Sequence, residues 1–199
     1  MIQTDSALYR VLVVGAMATA ALIIAAMVYQ YVFIGDVPGE LNYRLGNLRL
    51  EDGKYQEALA EFDIQLQVAP LSTKGQLGRG LALMGLGEFN AALQAINYAI
   101  DLKPDFAAAY ANRGILHDKM SRHEQALQDY RKALKLDEET GEGPDWLTRF
   151  FRNQYDAPPT IVDRAAYLEQ ELKKPVSQRL LQIPEIDKEQ RSYKFEKKL

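Results

Sequence analysis

One feature constrains this chain above all others: it resembles itself at an offset of 34 residues, three times over. The units run 39–72, 73–106 and 107–140. Gly46, Gly80 and Gly114 share one position, and Ala58, Ala92 and Ala126 another. Gly53 and Gly87 align with Ser121, Tyr55 and Phe89 with His123, and Phe62 and Ile96 with Tyr130. Pro70 and Pro104 also align, but Glu138 replaces the third proline. Each position has a physical reason. The Gly46 position suits two helices crossing closely, where a larger side chain would force them apart. The Gly53 position follows a helix and suits a left-handed cap. The Ala58 position is a second close contact, and the aromatic positions fill space between hairpins. The prolines end the second helix of a unit. Without the third proline, the last such helix is expected to run on to about Thr140 or Gly141. Gln65 also departs from the pattern, standing where a small residue is expected.

These positions resemble the tetratricopeptide repeat (TPR), a helix–turn–helix unit. The resemblance covers residues 39–140 and implies an all-α fold, a three-repeat α-solenoid that binds other proteins. In such arrays the first helix of each unit lines a concave groove. By the family's register, the groove residues implied here are Tyr43, Asn47 and Leu50, then Leu77, Leu81 and Met84, then Ala111, Ile115 and Asp118. Some family members grip a partner's C-terminal carboxylate with basic and amide side chains. Tyr43, Gly78 and Ala108 occupy positions that such a clamp needs, and only Asn47 and Asn112 match it, so the resemblance implies no clamp. The implied groove is mainly apolar and suits an amphipathic helix or an extended segment. Its occupant is either a partner or the chain's own residues 160–183, and a bare apolar groove favours the latter.

Before the repeats, Val11–Gly35 holds no charged residue. As a helix, residues 11–34 would reach about 36 Å, enough for a hydrocarbon core of about 30 Å. Tyr9 stands at one edge and Tyr29, Tyr31 and Phe33 at the other, as interfacial aromatics do. The run is longer than the apolar part of a cleaved signal peptide and ends in bulky rings, so an uncleaved anchor is the expectation. Arg10 lies in the flank 1–10, and Asp36 and Glu40 follow the run, which places the N-terminus on the cytoplasmic side and the repeats outside. In a bacterium that is the inner membrane, with the repeats in the periplasm. Gly15, Thr19, Leu22 and Ala26 share one side of the helix, a stripe suited to a partner's transmembrane helix or no more than anchor composition. Residues 35–38 are a short linker that holds the array near the headgroups.

After the repeats, Trp146 with Phe150 and Leu147 with Phe151 make i,i+4 pairs, read as a capping helix over 144–154 or, alternatively, an aromatic ligand cage. Residues 155–199 form a helical and irregular extension. Within it Thr160 and Asp163 look like a capping box, and Ile161, Ala165, Leu168 and Leu172 keep helical spacing.

Composition narrows function further. A net charge of −3 gives no basic excess for nucleic acid. The absence of cysteine removes thiolate metal sites and a thiol nucleophile. His117 and His123 both take repeat positions of packed residues. No phosphate-binding glycine loop or hydrolase motif is present, so neither an enzyme, a cofactor, a metal site nor a small-molecule substrate is expected. The expectation is a membrane-anchored interaction scaffold within an envelope complex, with a cytosol-facing docking receptor as the alternative.

Overall fold

A computed structural model describes residues 6–29, 39–141 and 160–182, and among these all regular structure is helical. Helix α1 spans Ser6–Tyr29. The array follows as α2 (Glu40–Glu51), α3 (Tyr55–Val68), α4 (Thr73–Gly85), α5 (Phe89–Leu102), α6 (Ala107–Lys119) and α7 (His123–Leu136). A 3-10 turn at Glu138–Gly141 closes α7, and α8 (Ile161–Leu172) comes from the C-terminal extension. The expected capping helix at 144–154 lies outside the described residues.

Helix α1 is already formed at Ser6, ahead of the uncharged run, because backbone hydrogen bonding propagates through residues 6–10, where Arg10 is the one charged side chain. Its stretch Tyr9–Val28 is long and apolar enough to cross a bilayer, and its side chains are exposed on every side.

The three hairpins repeat one crossing. A Cβ on Gly46 would fall 2.8 Å from the Phe62 ring, one on Gly80 2.6 Å from Ile96, and one on Gly114 2.6 Å from Tyr130. The aligned small residue therefore faces the aligned large one in every unit. Ala58, Ala92 and Ala126 are wholly buried beside these crossings. Gly53 and Gly87 take φ of 71° and 80° after the first helices, and Ser121 takes 58° at the third cap. A serine thus holds a left-handed conformation that glycine adopts without a Cβ clash.

Two departures from the pattern have physical explanations. Gln65 fits because Gly75 faces it: a Cβ there would strike the Gln65 amide. The Gln65 amide nitrogen then donates to Ser72 Oγ at 3.0 Å, and Ser72 also caps α4 by accepting from Gly75 N. The second departure corrects the expectation that α7 runs on to about residue 140. It stops at Leu136, and Asp137 turns extended with φ −157° and ψ 109°. Ala69 and Lys103, at the same place in the earlier units, also leave helical geometry. Proline follows Ala69 and Lys103 and restricts them to non-helical geometry, whereas Asp137 leaves the helix without one.

The core runs along the array. Tyr43, Ala58, Phe62 and Ala82 form one cluster at its start. A larger cluster extends from Leu77 through Ile96, Ile115 and Tyr130 to Ile161, Ala165 and Leu168 of α8.

Candidate protein-binding surfaces

The groove row comes from the first helices α2, α4 and α6. Leu77, Leu81 and Met84 project at i, i+4 and i+7 from α4, and Ala111, Ile115 and Asp118 do the same from α6. Seven of the nine residues are buried: Tyr43, Leu77, Leu81, Met84, Ala111, Ile115 and Asp118. Asn47 and Leu50 are half-buried. Lys74 lies over the Tyr43 ring at 5.6 Å, a cation–π contact. A partner laid along this row would meet Asn47, Leu50 and the edges of the neighbouring side chains. Alanines and glycines let the hairpins approach closely, and the apolar groove residues are consumed in the stack's own packing.

The clamp positions are equally committed. A Cβ on Gly78 would strike the Phe62 ring, so no asparagine fits there without displacing that ring. Ala108 is buried, and the wholly buried Asn112 donates to the Ala108 carbonyl at 2.7 Å.

Asp118 is the centre of a network that the sequence did not reveal. Arg164 of α8 reaches it with two nitrogens, Nε to Oδ2 at 2.6 Å and Nη2 to Oδ1 at 3.0 Å. His123 Nδ1 lies 2.8 Å from Oδ1, and Tyr130 donates to Oδ2 at 3.5 Å. Both ion-pair side chains are 4% exposed. Arg164 also donates to the Leu181 carbonyl at 2.8 Å, and Tyr167 to the Leu180 carbonyl at 2.5 Å. Gln182 donates to Ser121 at 2.8 Å. The sequence signal for this network is an arginine inside an apolar stripe: Arg164 stands between Ile161 and Leu168 on the face that buries Ala165. The Thr160–Asp163 capping box starts the helix as expected, with Thr160 N donating to Asp163 at 2.9 Å.

Helix α8 packs principally against α7, at the end of the array. Residues 160–172 therefore cover the last hairpin, where a further first helix would stack, instead of filling the groove lengthwise. The physical reason is the apolar outer face of α7, which buries Leu127 and Ala133 in the cluster shared with α8.

A second network ties α6 to its neighbours. Arg113 grips Asp129 with two nitrogens at 2.8 and 2.7 Å and donates to Asn97 at 2.8 Å. The Asp129 hydrogen bonds hold Arg113 still more firmly protonated than usual. His117 Nε2 lies 3.7 Å from Asp129, and its Nδ1 is buried without a hydrogen-bond partner. Burial lowers the His117 pKa, outweighing the pull of Asp129 upward. A histidine with a depressed folded-state pKa stabilises the fold above its unfolded pKa of about 6.5 and loses that contribution as pH falls towards the folded value. A His117→Phe variant should therefore lose less thermal stability than the native chain between pH 7 and pH 5, measured as the shift in Tm by circular dichroism.

Along α1, Gly15, Thr19, Leu22 and Ala26 lie on a helix whose side chains meet solvent throughout. A Cβ on Gly15 would touch nothing, Leu22 is 70% exposed, and Thr19 donates to the Ala16 carbonyl at 2.9 Å.

Tetratricopeptide-repeat models match residues 43–105 and 107–139. The chain is 29% identical over 121 residues to RNA polymerase II-associated protein 3 of Xenopus laevis, covering 61% of this chain and 18% of that protein. It is 29% identical over 92 residues to the Hsp70-Hsp90 organizing protein of Triticum aestivum, covering 46% of this chain and 16% of the relative. The chain thus spans less than a fifth of these relatives. The first TPR domain of Spaghetti (RPAP3), solved bound to an HSP90 peptide, superposes with a TM-score of 0.54 at 20% identity, covering 69% of this chain and 94% of that one. At that identity the likeness establishes the fold alone. Through residues 43–139 the chain belongs to the tetratricopeptide-repeat family.

Proposed function

We propose that the protein is a single-pass, membrane-anchored interaction scaffold, an accessory subunit or assembly factor of a bacterial envelope complex. The observation that carries this reading is the pairing of a TPR array with one long helix that is apolar and exposed on every side. A helix of that composition is costly to leave in water and suits a bilayer. Arg10 ahead of the helix favours a cytoplasmic N-terminus and a periplasmic array. The protein acts by binding, without catalysis. Partners meet the accessible part of the groove at Asn47 and Leu50, the anchor stripe at Gly15, Thr19, Leu22 and Ala26, or both.

The test is purification of the full-length protein from its native membrane in mild detergent, with identification of what accompanies it. Two variants accompany the native chain. One replaces Val11–Phe33 with an unrelated anchor. The other is Asn47→Arg/Leu50→Arg, which changes half-buried groove positions, whereas Leu81 is too buried for a change there to spare the fold. Membrane subunits lost with the anchor swap point to the helix, and those lost with the groove variant at unchanged Tm point to the repeats. A phosphatase fused after Leu199 should be active. If a fluorescent protein placed there folds and the phosphatase is silent, the array faces the cytosol and the protein is a docking receptor.

A further inference from the structure

The first hairpin leaves one side uncovered. On α2, Leu41 and Leu48 are 66% and 49% exposed, and the half-buried Leu45 lies between them on the same stripe. On α3, Ile64 and Val68 are 44% and 56% exposed. These side chains share the side of the hairpin that faces away from α4. The opposite side of α3 meets α4 through Phe62 against Gly78, Leu66 against Gly75 and Asp63 with Arg79 at 2.8 Å. The apolar residues thus form the free end of the array, opposite the end that α8 covers. A solenoid end ordinarily carries a polar outer face, and this one does not.

The chain's own connectivity identifies the occupant. We propose that this end face rests on the lipid surface of the bilayer that α1 spans, an inference that depends on the membrane-anchored reading of α1. Ten Cα steps separate Tyr29, the last residue of α1, from Gly39, so the chain between them reaches at most about 35 Å. Gly39 is itself part of the end face, since a Cβ there would fall 2.9 Å from Val68 Cγ2. The tether therefore enters the array at the apolar end, and the opposite end lies farthest along the stack from it. The polar rim also suits a lipid surface. Glu40 holds Arg44 at 3.1 Å, Glu57 holds Arg49 at 3.1 Å, and Glu61 accepts from Asn42 at 2.8 Å. These three carboxylates are each held by a donor, so none of them meets the headgroups as a bare anion. A shallow aliphatic stripe flanked by paired charges settles at the boundary between headgroups and acyl chains. The array would then stand on its first hairpin, with α8 held away from the bilayer.

The chain contains no cysteine, so single cysteines can be introduced and labelled with a small fluorophore. The full-length protein is reconstituted in phosphatidylethanolamine–phosphatidylglycerol vesicles containing lipids brominated near the headgroup end of the acyl chain. Labels are placed at Leu48→Cys and Ile64→Cys on the end face, at Val14→Cys in the anchor, and at Val162→Cys on α8. The expected result is quenching of about twofold at 48, 64 and 14, with none at 162. Quenching at 14 without quenching at 48 and 64 overturns the proposal and leaves the anchor reading standing. No quenching at 14 removes the anchor reading and the proposal together. Labels at 48 and 64 shielded from aqueous iodide as well as from brominated lipid would show protein covering the face, which also overturns the proposal.

Discussion

Replacing Arg164 with methionine is expected to cost about 3–5 kcal/mol and to release α8 from the array, because Asp118 is left buried without its cation. The magnitude follows from burial: both side chains are 4% exposed, so water cannot take over the lost partner. The remaining neighbours, His123 at 2.8 Å and Tyr130 at 3.5 Å, do not replace a guanidinium that grips both carboxylate oxygens. Arg164→Lys should recover only part of the loss, since an ammonium cannot span Oδ1 and Oδ2 as the fork does. Pairing Arg164→Met with Asp118→Asn should recover more, because no charge is then stranded. Urea unfolding followed by circular dichroism measures the cost, and hydrogen exchange of the α8 amides reports release directly. If α8 amides in Arg164→Met stay as protected as in the native chain, apolar packing of Ile161, Ala165 and Leu168 suffices to hold the helix, and the ion pair is secondary.

The second large effect is expected at Phe62. Its ring is fully buried between Gly46 and Gly78, so it is at once the crossing residue of the first hairpin and the contact to the second. Phe62→Ala should cost about 3–5 kcal/mol, since two glycine-lined walls have no side chains with which to refill the space. Gly78→Ala approaches the same site from the other side and should cost about 1–3 kcal/mol by overpacking. In a Phe62→Leu background the added methyl has more room, so the Gly78→Ala penalty should shrink. A penalty that is the same in both backgrounds would show that the glycine is there for another reason. This cycle also bears on partner choice: the atoms that exclude a side chain at Gly78 exclude a carboxylate-clamp asparagine from that position.

Much of the fold was legible in the residues taken in order. The 34-residue period located the hairpins, and the pairing of Gly46, Gly80 and Gly114 with Phe62, Ile96 and Tyr130 appears as three near-identical crossings. Those features are local, since both members of each pair belong to one helix–turn–helix. The capping box at Thr160 and Asp163 was legible for the same reason. The end of α7 was misjudged because proline was read as the terminator, whereas the boundary geometry recurs without it at Asp137. The groove was legible as a row of positions but not as a surface. A register tells which way Leu77, Leu81 and Met84 point, and says nothing of how tightly neighbouring helices close over them.

The sequence by itself determined that this chain builds helical hairpins in tandem and carries one helix fit for a bilayer. Both follow from periodicity and composition, which act over one or two turns of helix or a single repeat. Only the tertiary structure decided that Arg164 finds Asp118 across 46 residues, that α8 covers the last hairpin, and that Leu41, Leu48, Ile64 and Val68 remain uncovered at the first. Burial and ion pairing of this kind are sums over neighbours distant in sequence, and no local pattern encodes which helix will arrive to cover a given face.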